Sequence, residues 1–156
     1  MARGTLTIRD ARPNDLPRLL DLLEELREGA TPGVSWDRAD DDLTTRVWSE
    51  ILSDPRRGFL IAEDGGVIVG TADMMVVPNL THAARPIAFV ENVIVTAKQR
   101  GHGIGRKLME EVLRRAEAAG CYKAQFLSNK ARRRAHAFYE RLGFEPSSEG
   151  FCRYLP

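Results

Sequence analysis

Apolar residues recur along this chain with two periods, and their spacing predicts most of the secondary structure. Alternating or continuous apolar runs of about 4–8 residues predict β-strands, whereas apolar residues three and four apart predict amphipathic helices. Residues 6–11 predict the first strand, and the regularly spaced leucines of residues 13–29 predict a helix that stops at Gly29. A second helix, whose apolar face includes Trp48, is predicted to end before Pro55.

The middle of the chain predicts a β-hairpin and then a further long strand. Residues 58–63 and 67–77 are apolar runs on either side of Asp64–Gly65–Gly66, which is typical of a hairpin turn. A polar loop, residues 78–86, then leads to a strand at residues 87–95.

The last third of the chain alternates helices and short strands. An apolar stripe that includes Leu108 and Val112 predicts a helix from about Gly103 to Ala119. Further predictions are a strand at 122–128, a short helix at 132–144 that Gly143 ends, and two terminal strands at 144–146 and 151–155. The order β-α-α-β-β-β-α-β-α-β predicts one α+β (mixed α/β) domain, residues 1–156, with helices on both faces of the sheet.

Composition is that of an ordinary soluble globular protein, with 43% apolar and 29% charged residues. No run approaches the roughly 18 apolar residues of a membrane span, and the first ten residues lack an apolar signal core. A cytoplasmic location away from membranes is therefore expected. Cys121 and Cys152 have no CxxC or metal-ligand spacing and are expected to be free thiols. No pair of histidines has metal spacing, and no metal is predicted.

Charge is distributed unevenly. Residues 1–90 contain 10 Arg/Lys and 15 Asp/Glu, a net charge of −5, while residues 91–156 contain 13 and 7, a net charge of +6. This asymmetry indicates either an anionic ligand for the second half or two solvated faces of opposite sign. Because no basic stripe is interleaved with aromatic residues, nucleic-acid binding is not predicted.

Three glycines, Gly101, Gly103 and Gly105, follow the strand 87–95 and open the next helix. The first N–H groups of a helix have no partner inside it, and the helix dipole is positive there. Since glycine lets an anion approach these groups, residues 100–105, here called the glycine turn, predict a phosphate site rather than merely a flexible connection. The spacing fits neither a dinucleotide fingerprint nor a P-loop. The basic residues around the turn are Lys98, Arg100, Arg106 and Lys107.

A polar pair, Glu91–Asn92, interrupts the apolar strand 87–95. A carboxylate that loses hydration in such a strand has a raised pKa, which suits a working base. The alternative is that Glu91 points from a sheet edge into solvent or pairs with an arginine. Asn92 is expected to order a strand distortion or a bound water rather than to contact a substrate.

The spacing Arg100-x-x-Gly103-x-Gly105, preceded by ENVIV (91–95) and followed by FYERLGFEP (138–146), resembles the GNAT superfamily of acyl-CoA-dependent N-acetyltransferases. The resemblance covers nearly the whole chain and implies a mostly antiparallel, mixed central sheet. It implies acetyl-CoA as cosubstrate. The implied cofactor-binding residues are Arg100, Gly101, His102, Gly103, Ile104 and Gly105 at the pyrophosphate, Val93, Ile94 and Val95 along the pantetheine arm, and Arg106, Asn129 and Arg132.

Acetyl transfer to an amine requires two proton transfers. A lysine-like amine has a pKa of ~10.4 and must lose a proton, and the departing thiolate gains from a proton donor. The resemblance assigns the general base to Glu91, acting through water, and the general acid to Tyr139, which by composition alone is an ordinary core tyrosine. A main-chain N–H of Ile94 or Val95 is expected to bind the thioester oxygen.

The amine acceptor stays open at this point. Trp36 and the acidic residues of 37–42 favour a cationic small molecule, unless those carboxylates cap the second helix. The stretch AGCYK (119–123) is similar to glucosamine-phosphate acetyltransferases and residues 128–144 to aminoalkylphosphonate acetyltransferases, whose acceptors are anionic. Lys130 and residues 132–134 would meet such an anion or the 3′-phosphate of CoA. A peptide amine is a further candidate.

Two other functions compete with the enzyme. A non-catalytic acyl-CoA sensor needs only the glycine turn, so the presence of Glu91 and Tyr139 favours the enzyme. A nucleotide-binding domain is a third possible function. Homodimers are common in the resembled family, but no sequence feature identifies an interface. His82 is placed in a loop beside the acceptor cleft, and His136 on the last helix.

Overall fold

A five-stranded sheet forms the centre of the protein. The computed structural model describes residues 5–29, 33–35 and 37–155. Its strands are β1 (Leu6–Asp10), β2 (Arg57–Asp64), β3 (Val67–Val77), β4 (Ile87–Val95) and β5 (Lys123–Gln125). They lie in the order β1-β2-β3-β4-β5, with antiparallel pairing from β1 to β4 and parallel pairing of β4 with β5. The predicted mixed, mostly antiparallel sheet is confirmed.

The helices are α1 (Leu16–Glu24), α2 (Asp41–Ser53), α3 (Thr81–Ala84), α4 (Ile104–Ala118) and α5 (Arg133–Arg141). Short 3₁₀ turns precede and follow α1, at Pro13–Asp15 and Glu25–Gly29. The single turn α3 lies in the β3–β4 loop, and its residues 82–84 have positive φ. None of the helices in the described ranges is both long and apolar enough to cross a bilayer.

Apolar side chains cover both faces of the sheet. Because side chains alternate along a strand, Leu60 and Ala62 of β2 face one core and Phe59 and Ile61 the other. The first core is completed by α4 and α5, and the second by α1 and α2, which contributes Trp48. Helices therefore lie on both faces, as predicted.

A β-bulge interrupts β4. The facing pairs Thr71–Ile94 and Asp73–Glu91 leave one residue of β3 opposite two residues of β4. One of these two is Asn92, whose φ is 53°. The distortion expected at Asn92 is confirmed.

The bulge changes the face that β4 presents to each core. Before it, Ala88 and Val90 belong to the core under α4. After it, Val93 and Val95 pack against that same core, while Ile94 joins the core under α1 and α2. Since Glu91 follows Val90 directly, its side chain lies on the α1/α2 face.

Strands β4 and β5 separate after a short stretch of pairing. Residues 87–89 pair with residues 123–125, and β5 ends at Gln125 rather than at residue 128 as predicted. Beyond Phe89, no strand among the described residues pairs with this edge of β4. From Val90 to Val95 this edge of β4 therefore has no strand partner in the described part of the chain, and this unpaired stretch beside β5 is here called the gap.

The two predicted terminal strands are wrong, since residues 144–155 contain no strand. Phe151 and Leu155 are 92% and 80% exposed. A short apolar run has β-propensity, but it becomes a strand only where another edge pairs with it, and here none does. The two cysteines are free thiols, as predicted, with Cys121 buried and Cys152 exposed.

Candidate active site

The glycine turn connects β4 to α4. Gly101 and Gly103 have φ values of 81° and 82°, which residues other than glycine rarely adopt. A β-carbon at either position would have no neighbour within 4 Å. Gly103 is the N-cap of α4 and provides no side chain to bond the first helical N–H groups. The turn thus combines uncapped helix N–H groups with open space, which suits an anionic ligand.

Gly105 serves packing as well. A β-carbon there would lie 3.2 Å from the Phe138 ring and 3.6 Å from the Val95 side chain. A larger residue would push the first turn of α4 away from α5 and β4. Close packing therefore explains why position 105 is a glycine. The main-chain N–H of Gly105 still lies at the uncapped end of α4.

The basic residues at the turn are only partly engaged. Arg106 bonds Glu110 on the surface of α4 (2.7 Å), and Arg100 donates from Nε to the Val95 carbonyl oxygen (2.9 Å). The first turn of α4 contains no acidic residue. Because cations at a helix N-terminus oppose the helix dipole, this arrangement favours a bound anion. His102 is exposed beside it.

Glu25, which the sequence analysis did not single out, holds the chain just ahead of the glycine turn. Its carboxylate accepts hydrogen bonds from the Thr96 hydroxyl (2.7 Å) and the Ala97 N–H (2.9 Å), and lies 3.6 Å from the Arg100 guanidinium. These bonds connect the end of α1 to the entry of the turn. No local signal marks Glu25, because its partners are about 70 residues away in sequence.

Main-chain groups of β4 line the gap beside β5. In a strand, the N–H and C=O of one residue point to the same edge, and alternate residues point to opposite edges. The Thr96 N–H bonds the Val69 oxygen (2.9 Å), and a β-carbon on Gly70 would lie 3.0 Å from the Ile94 oxygen. Residues 94 and 96 thus face β3, and Val95 faces the gap. Of the two residues expected to bind the thioester oxygen, Val95 has its N–H on the open edge.

Glu91 lies opposite Asp73 of β3, directly before the bulge. Facing residues of an antiparallel pair share one side of the sheet, so the two carboxylates are neighbours. Glu91 reaches solvent, whereas Asp73 is fully buried. Partial desolvation raises the pKa of Glu91, and the charge of Asp73 raises that pKa further. Glu91 is therefore exposed to solvent, as one of the two alternatives had it, and its raised pKa is still the property expected of a general base.

Tyr139 is buried on α5, on the other face of the sheet, and its ring centroid lies 4.3 Å from that of Phe126. Burial raises the pKa of its phenol. The charge of Arg132 lowers this pKa and that of Glu91 raises it. Tyr139 is thus a neutral phenol within electrostatic reach of Glu91.

The connection between β5 and α5 contains the remaining predicted cofactor residues. The Asn129 side-chain oxygen accepts a hydrogen bond from the Ala131 N–H (2.9 Å), and Arg132 is the N-cap residue of α5. The Ser128 hydroxyl is buried and has no hydrogen-bond partner among the described residues. Burying a hydroxyl without a hydrogen bond costs free energy, so the Ser128 hydroxyl is available to bind a ligand. The sequence analysis did not single out Ser128.

The residues predicted for the acceptor side are dispersed. Trp36 lies outside the described residues. The carboxylate of Asp40 caps α2 by accepting from the Leu43 N–H (2.8 Å), so the capping alternative holds for this residue. The His82 ring stacks on Tyr122, with centroids 3.9 Å apart. Within the described ranges, no group of three His, Cys, Asp or Glu residues could hold a metal ion.

The mixed sheet, with one unpaired edge on β4 and an uncapped helix N-terminus beyond it, defines an α+β domain whose glycine turn suits an anionic ligand. The chain belongs to the Acetyltransferase (GNAT) family, whose model matches residues 18–144. The family resemblance noted in the sequence is therefore confirmed.

Three of the relatives that the chain resembles are named as acetyltransferases. The chain is 35% identical over 79 residues to glucosamine 6-phosphate N-acetyltransferase of Trypanosoma brucei brucei, covering 51% of this chain and 52% of that protein. It is 31% identical over 104 residues to aminoalkylphosphonate N-acetyltransferase of Salmonella typhimurium, covering 67% of each. A solved structure from Agrobacterium tumefaciens str. C58, named as an acetyltransferase, has a TM-score of 0.83 and 36% identity, covering 96% of this chain and 99% of its own. The chain thus spans about half the length of the first curated relative.

Proposed function

We propose that the protein is an N-acetyltransferase that moves an acetyl group from acetyl-CoA to a primary amine of a small molecule. The observation that carries this proposal is the gap between β4 and β5, with the glycine turn at its end and Glu91 and Tyr139 on either side of the sheet. Membership of the family and the names of the relatives support acetyl transfer. A non-catalytic acyl-CoA sensor would need the glycine turn alone.

Acetyl-CoA is the donor in this proposal. Its diphosphate would bind the uncapped N–H groups of the glycine turn, where helix dipole and basic residues both favour negative charge. Its pantetheine arm would lie along the open edge of β4, beside Val93 and Val95. The unpartnered Ser128 hydroxyl would give the arm a further hydrogen bond.

Glu91 would accept the proton of the acceptor amine. At pH 7 only about one lysine-like amine in 2,500 is neutral, because its pKa is ~10.4. Glu91 takes this proton directly or through one water molecule. Its raised pKa narrows the gap in proton affinity between base and amine, so the transfer costs less than it would to an ordinary carboxylate.

The neutral amine then attacks the thioester carbon, and its C–N bond forms as the carbonyl oxygen gains charge. The Val95 N–H, which lies on the open edge of β4, would donate to that oxygen. The C–S bond breaks when the tetrahedral intermediate collapses, and Tyr139 gives its phenolic proton to the sulfur. The acylated nitrogen still carries a second proton to lose, and this proton returns through solvent to the Tyr139 phenolate, while Glu91 releases the first proton to solvent. The products are therefore the N-acetylated amine, CoA thiol and one proton.

A panel of amines with acetyl-CoA tests the proposal. The panel contains glucosamine 6-phosphate, 2-aminoethylphosphonate, a polyamine, an aminoglycoside and a peptide with a free amino terminus. We expect saturable release of free thiol with at least one of them, and an acetylated product by mass spectrometry. The amine that works also decides between an anionic and a cationic acceptor.

Acetyl-CoA binding, measured by calorimetry in parallel, separates the alternatives. Saturable binding without thiol release from any amine would favour the sensor. Stronger protection from heat by ATP or NAD than by CoA would favour a nucleotide-binding domain instead.

A further inference from the structure

Asp73 is a fully buried carboxylate that the reaction just described does not use. Arg57 of β2 binds it through two hydrogen bonds, from Nε to Oδ1 (2.8 Å) and from Nη2 to Oδ2. These bonds raise the pKa of the Arg57 guanidinium. Because apolar side chains of similar volume often stabilise a fold as well as a buried ion pair does, stability is a weak explanation for this pair.

Asp73 also contacts the bulge in β4. The Asn92 side-chain amide donates to Asp73 Oδ2 at 3.4 Å, and Asn92 adopts the left-handed conformation that is sterically costly for most residues. On the same side of the sheet, Asp73 directly faces Glu91. The buried side chain of Asp73 thus pairs with Arg57, bonds the bulge at Asn92 and faces the predicted base, Glu91.

We propose that Asp73 is a positioning residue for Glu91: it holds the bulge through Asn92 and directs a negative charge at Glu91 from the facing strand. This inference rests on the proposed function, in which Glu91 is the base. Arg57 belongs to the same arrangement, since it compensates the burial of Asp73.

The charge that acts on Glu91 comes from the facing strand of the sheet. Asp73 of β3 raises the pKa of Glu91, and partial burial raises it more. Arg57 of β2 is bonded to Asp73. From α5, Tyr139 is neutral at working pH, and Arg132 acts on that phenol. Removing the charge of Asp73 should therefore make Glu91 a more acidic group.

A ¹³C NMR titration of the Glu91 carboxyl group in the unliganded full-length protein tests this directly, with Glu91→Gln to assign the signal. We expect Asp73→Asn to lower the pKa of Glu91. Thr71→Val is the matched control, because Thr71 is equally buried on the same face of β3 and loses only a neutral hydrogen bond to the Leu60 carbonyl (2.8 Å). It should leave the titration of Glu91 unchanged.

The acid limb of kcat/KM provides a second measurement. Activity is lost as pH falls through the pKa of Glu91, so this limb should move to lower pH in Asp73→Asn and stay in place in Thr71→Val. Should Asp73→Asn fail to fold, the double variant Arg57→Met/Asp73→Leu replaces the pair by apolar side chains. Because it removes the positive charge of Arg57 together with the negative charge of Asp73, we expect it to lower the pKa of Glu91 by less than Asp73→Asn does.

The two proposals fail separately. An unchanged Glu91 titration in folded Asp73→Asn, or in the double variant, would overturn the positioning role whatever the activity. A lowered pKa of Glu91 in a protein that releases no thiol with any amine would leave the coupling standing and refute the proposed reaction.

Discussion

At the scale of single residues, one physical cause prepares two side chains for opposite tasks. Burial disfavours the charged form of an acid, so it raises the pKa of both Glu91 and Tyr139. A raised pKa makes the Glu91 carboxylate a stronger base. It also keeps the Tyr139 phenol protonated, so that in the proposed reaction it can donate its proton to the thiolate. On the proposed function, Glu91 would be the proton acceptor and Tyr139 the proton donor.

Glu91→Gln should lower thiol release at pH 7 by roughly 10²–10⁴-fold, the usual contribution of a general base. Because more amine is already neutral at high pH, the variant should recover part of its activity there. The check is a pH profile of kcat/KM with saturating acetyl-CoA, together with acetyl-CoA affinity, which should not change. A variant profile that parallels the parent's would exclude Glu91 as the base.

Tyr139→Phe should reduce kcat by roughly 10²-fold, because the thiolate departs without its proton donor. Affinity for acetyl-CoA should stay nearly the same, since the ring and its packing against Phe126 remain. Tyr122→Phe is a suitable control, as that ring stacks on His82 at the start of β5. Equal turnover in parent and Tyr139→Phe would rule out the acid role.

At the scale of elements, the proposed function depends on where strands stop pairing and where a helix lacks a cap. β4 loses its β5 partner after Phe89 and bulges at Asn92, and α4 then begins at a glycine. Each feature leaves main-chain groups unpaired, which would be costly in an interior without a ligand.

Gly103→Ala and Gly66→Ala form a matched pair that tests the glycine turn. The two glycines have φ values of 82° and 83°, and neither has a neighbour within 4 Å of its β-carbon position. Both alanines should cost about 1–2 kcal/mol of stability through backbone strain. Only Gly103→Ala should raise the KM for acetyl-CoA, and an equal rise in the hairpin variant Gly66→Ala would show that the turn does not bind the donor.

Elements with a strong local signal could be predicted closely. Both ends of β4 match the predicted strand 87–95, and α4 agrees within one residue at each end. Both follow from apolar periodicity and from glycines that fix the boundaries. The polar interruption of β4 likewise predicted the distortion at Asn92 and drew attention to Glu91.

Features that depend on distant parts of the chain could not be predicted. The terminal strands were wrong because nothing in residues 144–155 shows whether a sheet edge is free to pair with them. The contact of Glu25 with Ala97 and the burial of Asp73 beside Arg57 likewise require the packed sheet. The partner of a single acidic residue cannot be read from the sequence, because no repeating pattern connects the two positions.

At the scale of the whole molecule, one ionic network joins the first strand to the helices and the hairpin. The Arg9 guanidinium bonds Asp15 (2.7 and 2.9 Å), in the turn before α1, and also Glu63 at the end of β2. Side-chain exposure of Arg9 and Asp15 is 17% and 10%. Charge-assisted bonds in such a partly buried place stabilise more than surface pairs do.

Asp15→Asn should lower the melting temperature by roughly 5 °C at pH 7. The bond from Arg9 lowers the pKa of Asp15 in the folded protein. The stabilisation is therefore complete above the unfolded pKa and is lost as pH falls through the folded one. Melting curves of parent and variant should converge in acid, with exposed Asp21→Asn as the neutral control. A difference that stays constant with pH would contradict this account.

The change of face at the bulge has a consequence for the order of events in catalysis. Glu91 lies toward α1 and α2, while the glycine turn and Tyr139 belong to the side of α4 and α5. On the proposed function, acetyl-CoA and the amine have separate entrances and meet inside the opening of the sheet. Neither needs to leave before the other arrives, so the reaction proceeds through a ternary complex and the acetyl group is never stored on the protein.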